Sequence, residues 1–170
     1  MTQRFRGESV HKVDSKGRVS IPALFRRVLQ ASDPDWAEGL QPNVVIVYGG
    51  ASQNYLECYT QDAITEVDAK ISALPRGSKR RRALERIFNG QALPTQTDDT
   101  GRLVLPAKLR EKIGITNEAQ FTASGDTFQI WSPEAFAKRD DDIEDFIAME
   151  GEDFDPLTWL DDDPFGSAGE

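Results

Sequence analysis

Residues 14–26 of the chain read Asp-Ser-Lys-Gly-Arg-Val-Ser-Ile-Pro-Ala-Leu-Phe-Arg, and residues 98–110 read Asp-Asp-Thr-Gly-Arg-Leu-Val-Leu-Pro-Ala-Lys-Leu-Arg. The two stretches are identical at six of thirteen positions, and three further pairs exchange one apolar residue for another. The identical pairs are Asp14/Asp98, Gly17/Gly101, Arg18/Arg102, Pro22/Pro106, Ala23/Ala107 and Arg26/Arg110. An internal repeat of this kind indicates one small structural unit present twice. Each copy is expected to present an arginine beside a tight turn.

The residues around each repeat predict the same order of elements. Asp14 and Gly17 stand at the first and fourth positions that a type I turn favours, and Asp98 and Gly101 repeat them. The alternation that follows each turn predicts a strand, and the proline after it suits the first turn of a helix. Each copy is therefore predicted as strand–turn–strand–helix–hairpin–helix, a mixed α+β fold.

The predicted strands cover residues 4–13, 18–21, 44–48, 55–59, 91–97, 102–105, 120–123 and 127–131. Helices are predicted at 22–30, 62–74, 78–88, 106–113 and 133–149, with Gly114 as a C-terminal cap. Apolar positions expected to face inward are Leu24, Phe25, Val28 and Leu29 in the first helix and Phe136, Ile143, Phe146 and Ile147 in the last. The domains are expected at 4–60 and 91–132, joined by a helical linker at 61–90 and followed by a C-terminal helix at 133–149. Residues 150–170, rich in Asp, Gly and Pro, are expected to be an acidic disordered tail.

The charge is distributed unevenly along the chain. Of 170 residues, 38% are hydrophobic, and the net charge is −9. No lysine or arginine follows Arg139, whereas residues 140–170 contain 13 of the 29 acidic residues. The first 139 residues therefore carry 20 basic and 16 acidic side chains, a net charge of +4, and the remainder carries −13. A basic body with an acidic tail keeps nucleic acid open as a partner.

Signals for an enzyme, a metal site or a membrane protein are missing from the sequence. The only histidine and cysteine, His11 and Cys58, lack metal-ligand spacing and are interpreted as structural. Gly49-Gly50 lacks the pattern of a phosphate-binding loop, and no nucleophile motif is present. We find neither a signal-peptide pattern nor an apolar run long enough for a membrane helix. The composition predicts a soluble cytoplasmic protein without a cofactor or small-molecule substrate.

The two Asp-x-x-Gly-Arg turns have two interpretations. Each arginine either pairs only with its aspartate, or it presents its guanidinium to phosphate or to the acceptor edge of guanine. The surroundings of the two turns differ. Lys12 and Lys16 accompany Arg18, whereas Asp99 precedes Arg102 in the second turn. Because an acid repels phosphate, we expect the first turn to contact DNA more directly than the second.

A basic run within the linker is the densest positive segment. It comprises Arg76, Lys79, Arg80, Arg81 and Arg82. Such a run is either solvated surface or a patch for an acidic partner or a phosphate backbone, and the sequence leaves these alternatives open.

Arg4-Phe-Arg-Gly-Glu8, the two repeats and Arg86-Ile-Phe-Asn-Gly90 together resemble the MraZ family. Its members are bacterial transcriptional regulators made of two fused domains of the SpoVT/AbrB type. The resemblance covers about residues 4–148 and leaves out the acidic tail.

The resemblance implies several properties. Each copy would form half of a swapped-hairpin-like β-barrel, so that the two copies make a pseudo-dimer, and the chains would assemble into rings. The protein would bind double-stranded DNA at short direct repeats in the promoter of the division and cell-wall gene cluster, including its own gene, usually as a repressor, and would associate with the nucleoid. The family signature falls on Asp14/Arg18 and Asp98/Arg102, with arginine as the DNA-contacting member.

Two further hypotheses remain open. In one, the protein is an interaction scaffold or an antitoxin-like module, and its basic linker docks an acidic partner. In the other, the acidic tail shields the basic face of a DNA-binding protein. Tail residues Phe154, Leu157, Trp159, Leu160 and Phe165 lie among the acids and are also compatible with a docking segment.

Overall fold

The computed structural model describes residues 3–50, 52–139 and 142–161. These residues fall into two compact units, one up to Lys138 and one from Arg139 onward. The strands of the first unit are β1 (Glu8–Lys12), β2 (Arg18–Ser20), β3 (Asn43–Val47), β4 (Tyr55–Tyr59), β5 (Ala92–Gln96), β6 (Arg102–Val104), β7 (Glu118–Ser124) and β8 (Thr127–Trp131). Its helices are α1 (Ala23–Ala31), α2 (Gln61–Ser72), α3 (Lys79–Glu85), α4 (Ala107–Ile113) and α5 (Pro133–Ala137), with a π-helical turn at Arg86–Gly90. The second unit has α6 (Asp142–Ala148) and a 3-10 turn at Pro156–Asp161. The predicted mixed α+β class is confirmed.

The two repeats share one sheet. Six antiparallel strands are ordered β1-β7-β8-β4-β3-β5, and β2 pairs with β6 in a separate ribbon. In this sheet, β1, β3 and β4 of the first repeat correspond to β5, β7 and β8 of the second. Exchanging these counterparts gives the same strand order in the opposite direction. An approximate twofold axis therefore relates the two copies. The first strand of each copy adds to the hairpin of the other copy, β1 to β7 and β5 to β3. The outer edges of β7 and β3, the first strands of the two hairpins, are therefore both paired.

The core lies where the two copies meet. Phe5, Phe25 and Phe128 form a cluster of rings whose centroids are 5.1–5.2 Å apart. Phe121 joins it at 5.9 Å from Phe128. The buried centre of the β2–β6 ribbon, Val19 opposite Leu103, belongs to the same cluster. This packing fixes the ribbon, and with it the two turns that precede its strands.

Local signals set several helix boundaries. The hydroxyl groups of Thr60, Ser78 and Ser132 each accept a hydrogen bond from a backbone N–H in the first turn of α2, α3 and α5. Gly114 ends α4 in the left-handed conformation, with a φ of 76°, which confirms the predicted glycine cap.

The prediction for the first helix was wrong at one position. Phe25, Val28 and Leu29 are buried as predicted, but Leu24 is 61% exposed. Phe25, Val28 and Leu29 share one helix face, and Leu24 lies beyond the edge of that face, about 100° from Phe25. Leu24 therefore points to solvent.

The predicted helix over 133–149 is replaced by α5 and α6 in the described residues. α5 ends at Ala137, and α6 begins at Asp142 with three acidic residues in its first turn. Acidic residues in the first turn interact favourably with the helix dipole, so these three favour the start of a new helix at this point. Ile143, Phe146 and Ile147, expected to face inward, are exposed.

Two other segments differ in detail from the predicted elements. The helix predicted over 78–88 becomes π-helical from Arg86, and Phe88 packs edge-on against Tyr59 at 5.9 Å. Within the tail, expected to lack regular structure, Pro156–Asp161 forms the 3-10 turn, and Trp159 packs against Phe154 and Phe146. Residues 162–170, including Phe165, lie outside the described residues.

Candidate nucleic-acid interface

The first arginine turn is organised by the Asp14 carboxylate. Its Oδ1 accepts hydrogen bonds from the backbone N–H groups of Lys16 and Arg18, each at 2.9 Å. The N–H of Gly17 donates to the carbonyl oxygen of Asp14 at 2.9 Å, which closes the turn. The hydrogen bond from the Arg18 backbone is the main cause that lowers the pKa of Asp14, so the carboxylate is ionised at neutral pH.

The second turn repeats this arrangement around Asp98. Its Oδ1 accepts from the backbone N–H groups of Thr100 at 3.0 Å and Arg102 at 2.8 Å, and Gly101 N–H donates to the Asp98 carbonyl at 3.0 Å. Desolvation raises the pKa of Asp98, but the hydrogen bonds from Arg102 and Thr100 outweigh it and lower this pKa to about 2. Both turns are thus Asx-type turns with an ionised aspartate.

Each aspartate also orients the arginine that follows its turn. Arg18 donates from Nε to Asp14 Oδ2 at 2.6 Å, and Arg102 donates from Nε to Asp98 Oδ2 at 2.9 Å. The arginine side chains are 36% and 35% exposed. Among the described residues, neither arginine uses its Nη groups in a hydrogen bond to protein. Pairing with aspartate therefore leaves the two-pronged end of each guanidinium available to an external acceptor.

The antiparallel ribbon brings the two arginines onto one surface. Arg18 lies opposite Val104 and Ser20 lies opposite Arg102, so the arginines are diagonal neighbours on the same face, about 7–8 Å apart at the backbone. A groove of about 620 Å³ is lined by Lys12, Val13, Asp14, Arg18, Ser20, Arg102, Asn117 and Glu118. We call this surface the arginine groove. Sequence reasoning treated the arginines as belonging to separate domains and did not place them together.

The residues expected to distinguish the two turns are placed differently around this groove. Lys12 lines it, opposite Glu118 in the β1–β7 pairing. Lys16 is exposed at the tip of the first turn. Asp99 is also exposed but lines a different pocket, of about 210 Å³, with Arg26 and the 36–42 loop. The acid beside Arg102 therefore lies away from the groove that both arginines line.

Each turn is held by the other copy. The carbonyl oxygen of Gly17 accepts from Leu105 N–H at 2.7 Å, and that of Gly101 accepts from Ile21 N–H at 3.1 Å. Arg110 of the second repeat lies against Gly17, and Arg26 of the first repeat lies against Gly101. The repeat contains Arg26 and Arg110 as an identical pair, but only the exchange of strands reveals their role across the copies.

The basic run of the linker divides into internal and external members. Arg81 is only 13% exposed, donates to the carbonyl oxygens of Ser72 and Leu74, and pairs with Glu85. Lys79, Arg80 and Arg82 are exposed on α3. Arg86, which sequence reasoning did not single out, lies beside Lys79 and Arg82 in a shallow groove.

The cysteine and the histidine of the chain both pack against the sheet. Cys58 is fully buried in the sheet, and burial raises the pKa of its thiol well above the usual value. His11 contacts the ring of Phe121 and lies 2.8 Å from Ser9 Oγ, and burial lowers its pKa. Among residues 3–50, 52–139 and 142–161, no group of three His, Cys, Asp or Glu side chains is suited to hold a metal ion. Over the same ranges, no helix has the length and apolar character to cross a membrane.

Comparison with known proteins gives consistent matches. A family model described as "MraZ protein, putative antitoxin-like" matches residues 88–155. The chain is 65% identical over 162 residues to the transcriptional regulator MraZ of Ruegeria sp. (strain TM1040). The matched region covers 95% of this chain and 97% of that protein. The chain is 60% identical, with the same coverage, to the transcriptional regulator MraZ of Ruegeria pomeroyi. The transcriptional regulator MraZ of Parvibaculum lavamentivorans is 37% identical over 134 residues, 78% of each chain.

Proposed function

Because this chain belongs to the MraZ family, we propose that it is a DNA-binding transcriptional regulator and that the arginine groove is its DNA contact. The observation that carries the proposal is the pair of guanidinium groups on one exposed ribbon, each oriented through Nε by its own aspartate. The relatives are named transcriptional regulators, which agrees with a role in binding instead of catalysis.

The geometry favours contact with phosphate and with guanine. A guanidinium fixed through Nε presents its Nη groups in a rigid fork that matches two phosphate oxygens or the O6 and N7 atoms of guanine. Fixing the side chain before binding also reduces the conformational entropy lost on contact. Lys12 and Lys16 add positive charge beside Arg18, so the first turn is the stronger DNA contact.

The finer properties are part of the same proposal. Each copy is half of a swapped-hairpin-like barrel, which the exchange of β1 and β5 between the copies supports. Several chains assemble into a ring, which binds short direct repeats of double-stranded DNA in the promoter of the division and cell-wall gene cluster, including its own gene, as a repressor. One groove makes few contacts, so several grooves at fixed spacing gain affinity through effective concentration. The protein acts at the nucleoid in the cytoplasm.

Arginine substitutions test the DNA contact. We expect Arg18→Ala to reduce the affinity for DNA upstream of its own gene by about 1–3 kcal/mol per groove and to lower the salt slope by about one unit. Lys16→Glu is expected to weaken binding strongly as well, and Arg102→Ala to weaken it less than Arg18→Ala. Fluorescence anisotropy at several salt concentrations measures the affinity, and far-UV circular dichroism confirms the fold. Arg27→Ala, at an exposed position on α1, is the matched control.

Two results would contradict parts of this proposal. Equal losses from Arg18→Ala and Arg102→Ala would refute the asymmetry between the turns. Unchanged affinity in both variants would show that the arginine groove is not the DNA contact.

A second candidate function is an antitoxin-like or scaffold module that binds an acidic partner. The description of the matching family and the exposed basic members of α3 favour it. It predicts no salt-dependent binding to upstream DNA, whereas phosphate contacts require a salt slope. The titration described above therefore separates the two functions.

A further inference from the structure

The surface of α3 that surrounds Arg82 is a basic groove with an apolar floor. Lys79, Arg82, Ala83 and Arg86 line it, with a volume of about 270 Å³. Arg81 points away from solvent and binds backbone carbonyl groups, so it does not contribute to this surface. The π-helical turn that starts at Arg86 follows directly, and its Ile87 is 36% exposed. We call this surface the α3 groove.

The second unit has the opposite character. Residues 142–161 contain eight acidic and no basic side chains. Their apolar side chains are also exposed, with Met149 at 85% and Leu160 at 78%, and Ile143, Phe146, Ile147 and Leu157 between 40% and 67%. Only Phe146, Phe154 and Trp159 stack on one another. A segment this small cannot bury its own apolar surface, which marks it as a binding element.

We propose that the acidic segment Asp142–Asp161 of one copy docks into the α3 groove of a second copy. The two surfaces are complementary in charge, because the segment is acidic and the groove is basic. They are also complementary in apolar surface, because the exposed apolar side chains of the segment can pack on the apolar part of the groove. The apolar side chains of the segment favour this occupant over DNA, since they can bury against Ala83 and the aliphatic stems of the basic residues, whereas phosphate oxygens gain nothing from apolar contact. A chain that carries both complementary surfaces at different places associates head to tail. This contact is separate from the arginine groove; it names a surface for the assembly of copies and rests on that part of the proposed function.

Charge reversal in two full-length variants tests the contact. The groove variant combines Lys79→Glu, Arg82→Glu and Arg86→Glu, and the segment variant combines Asp145→Lys, Glu152→Lys and Asp153→Lys, all at exposed positions. In the groove variant, Glu at the start of α3 favours the helix, so loss of folding is not expected. Each variant alone is expected to self-associate at least roughly tenfold more weakly than the wild type, because three attractive contacts become repulsive. An equimolar mixture is expected to recover assemblies that contain both variants.

Sedimentation velocity measures the association, and native mass spectrometry identifies mixed assemblies. A control with the same charge change carries Arg27→Glu, Lys70→Glu and Lys108→Glu, which are exposed residues outside the α3 groove. It is expected to associate like the wild type. A mixture of Arg82→Cys and Met149→Cys proteins gives a direct readout, since native Cys58 is fully buried. We expect a disulfide-linked heterodimer in that mixture and not with either protein alone.

Three other outcomes would overturn the proposal. Wild-type association of both reversed variants would show that the contact is absent. Recovery only when all six substitutions are combined in one chain, and not in the mixture, would show docking within a chain. Unchanged association of the groove variant together with a lower DNA affinity and a smaller salt slope would assign the α3 groove to phosphate.

Discussion

Gly17→Ala probes the point where the second repeat supports the first arginine turn. Gly17 has a φ of 84°, in the left-handed region that side chains other than glycine rarely adopt. A Cβ atom at this position would overlap the backbone carbonyl oxygen of Leu105 and lie 2.9 Å from Arg110 Nε. The Leu105 oxygen is backbone and cannot rotate away. The change therefore adds a steric conflict between the copies to a conformational cost within the turn.

The expected loss of stability has two parts. Placing a non-glycine residue in the left-handed region costs about 1–2 kcal/mol. The overlap with Leu105 adds about 1–3 kcal/mol, either as backbone shift or as loss of the 2.7 Å hydrogen bond from Leu105 N–H to Gly17. We expect Gly17→Ala to lower the free energy of unfolding by about 2–5 kcal/mol.

Two other glycines separate these parts. Gly39 has a φ of 92°, and a Cβ atom added there would have no heavy atom within 4 Å, so Gly39→Ala carries only the conformational cost, about 1–2 kcal/mol. Gly101 has a φ of 79°, and its Cβ would meet the end of the Arg26 side chain. Because these atoms belong to a side chain and not to the backbone, Gly101→Ala is expected to cost less than Gly17→Ala but more than Gly39→Ala, since the partly buried Arg26 side chain must shift.

Urea unfolding at one fixed protein concentration measures these differences, since association shifts apparent stability. The denaturant slope must stay constant across the variants for the comparison to hold. Equal losses in Gly17→Ala and Gly39→Ala would refute the inference that the second repeat packs closely on the first turn.

Two substitutions of acidic residues test the electrostatics of the fold. The folded-state pKa of Asp98 is about 2, below the unfolded value of about 3.9, so its contribution is present above pH ~4 and is lost as the pH falls towards 2. Asp98→Asn should flatten the decline of the unfolding free energy over that pH window, and exposed Asp99→Asn is the control. A decline identical to that of the wild type would contradict the lowered pKa of Asp98. For Glu57, burial raises the pKa against the hydrogen bond from Thr127, so the folded state favours the protonated acid and loses stability as the pH rises through its pKa. Glu57→Gln should therefore increase the urea midpoint at pH ~7, and this increase should disappear below pH ~4. A lower urea midpoint at pH ~7 would instead show that the ionised carboxylate stabilises the fold.

The sequence predicts the local elements well because each depends on a nearby signal. The turns follow from aspartate and glycine three residues apart, the strands from alternation, and the end of α4 from Gly114. These signals act within a few residues, so they survive without knowledge of the rest of the chain. The prediction for Leu24 was wrong because a local signal, the apolar character of one residue, does not specify which helix face the residue occupies.

The residue patterns alone do not predict how the two repeats combine. Strand exchange between β1 and β7 depends on pairing across more than 100 residues, and a repeat pattern is equally compatible with two separate domains. The apolar spacing over 133–149 does not predict the division into α5 and α6, because acidic residues are compatible with a continuous helix as well as with a helix start. The internal role of Arg81 was missed because its carbonyl partners lie seven and nine residues earlier in the chain.

Strand exchange has a consequence for the assignment of function to each repeat. The residues that present Arg18 belong to the first copy, whereas Leu105 and Arg110, which hold its turn, belong to the second. The second copy therefore supports the first arginine whether or not Arg102 contacts DNA itself. Both copies retain glycine at the turn and arginine in the following helix, because each of these residues packs against the other copy. The residues that differ between the copies, Lys16 against Thr100 and Lys12 against Gln96, are exposed and bear no such packing constraint. The turn glycines and helix arginines shared by the repeats thus report on the fold, and under the proposed function the differing lysines decide which turn binds DNA more strongly.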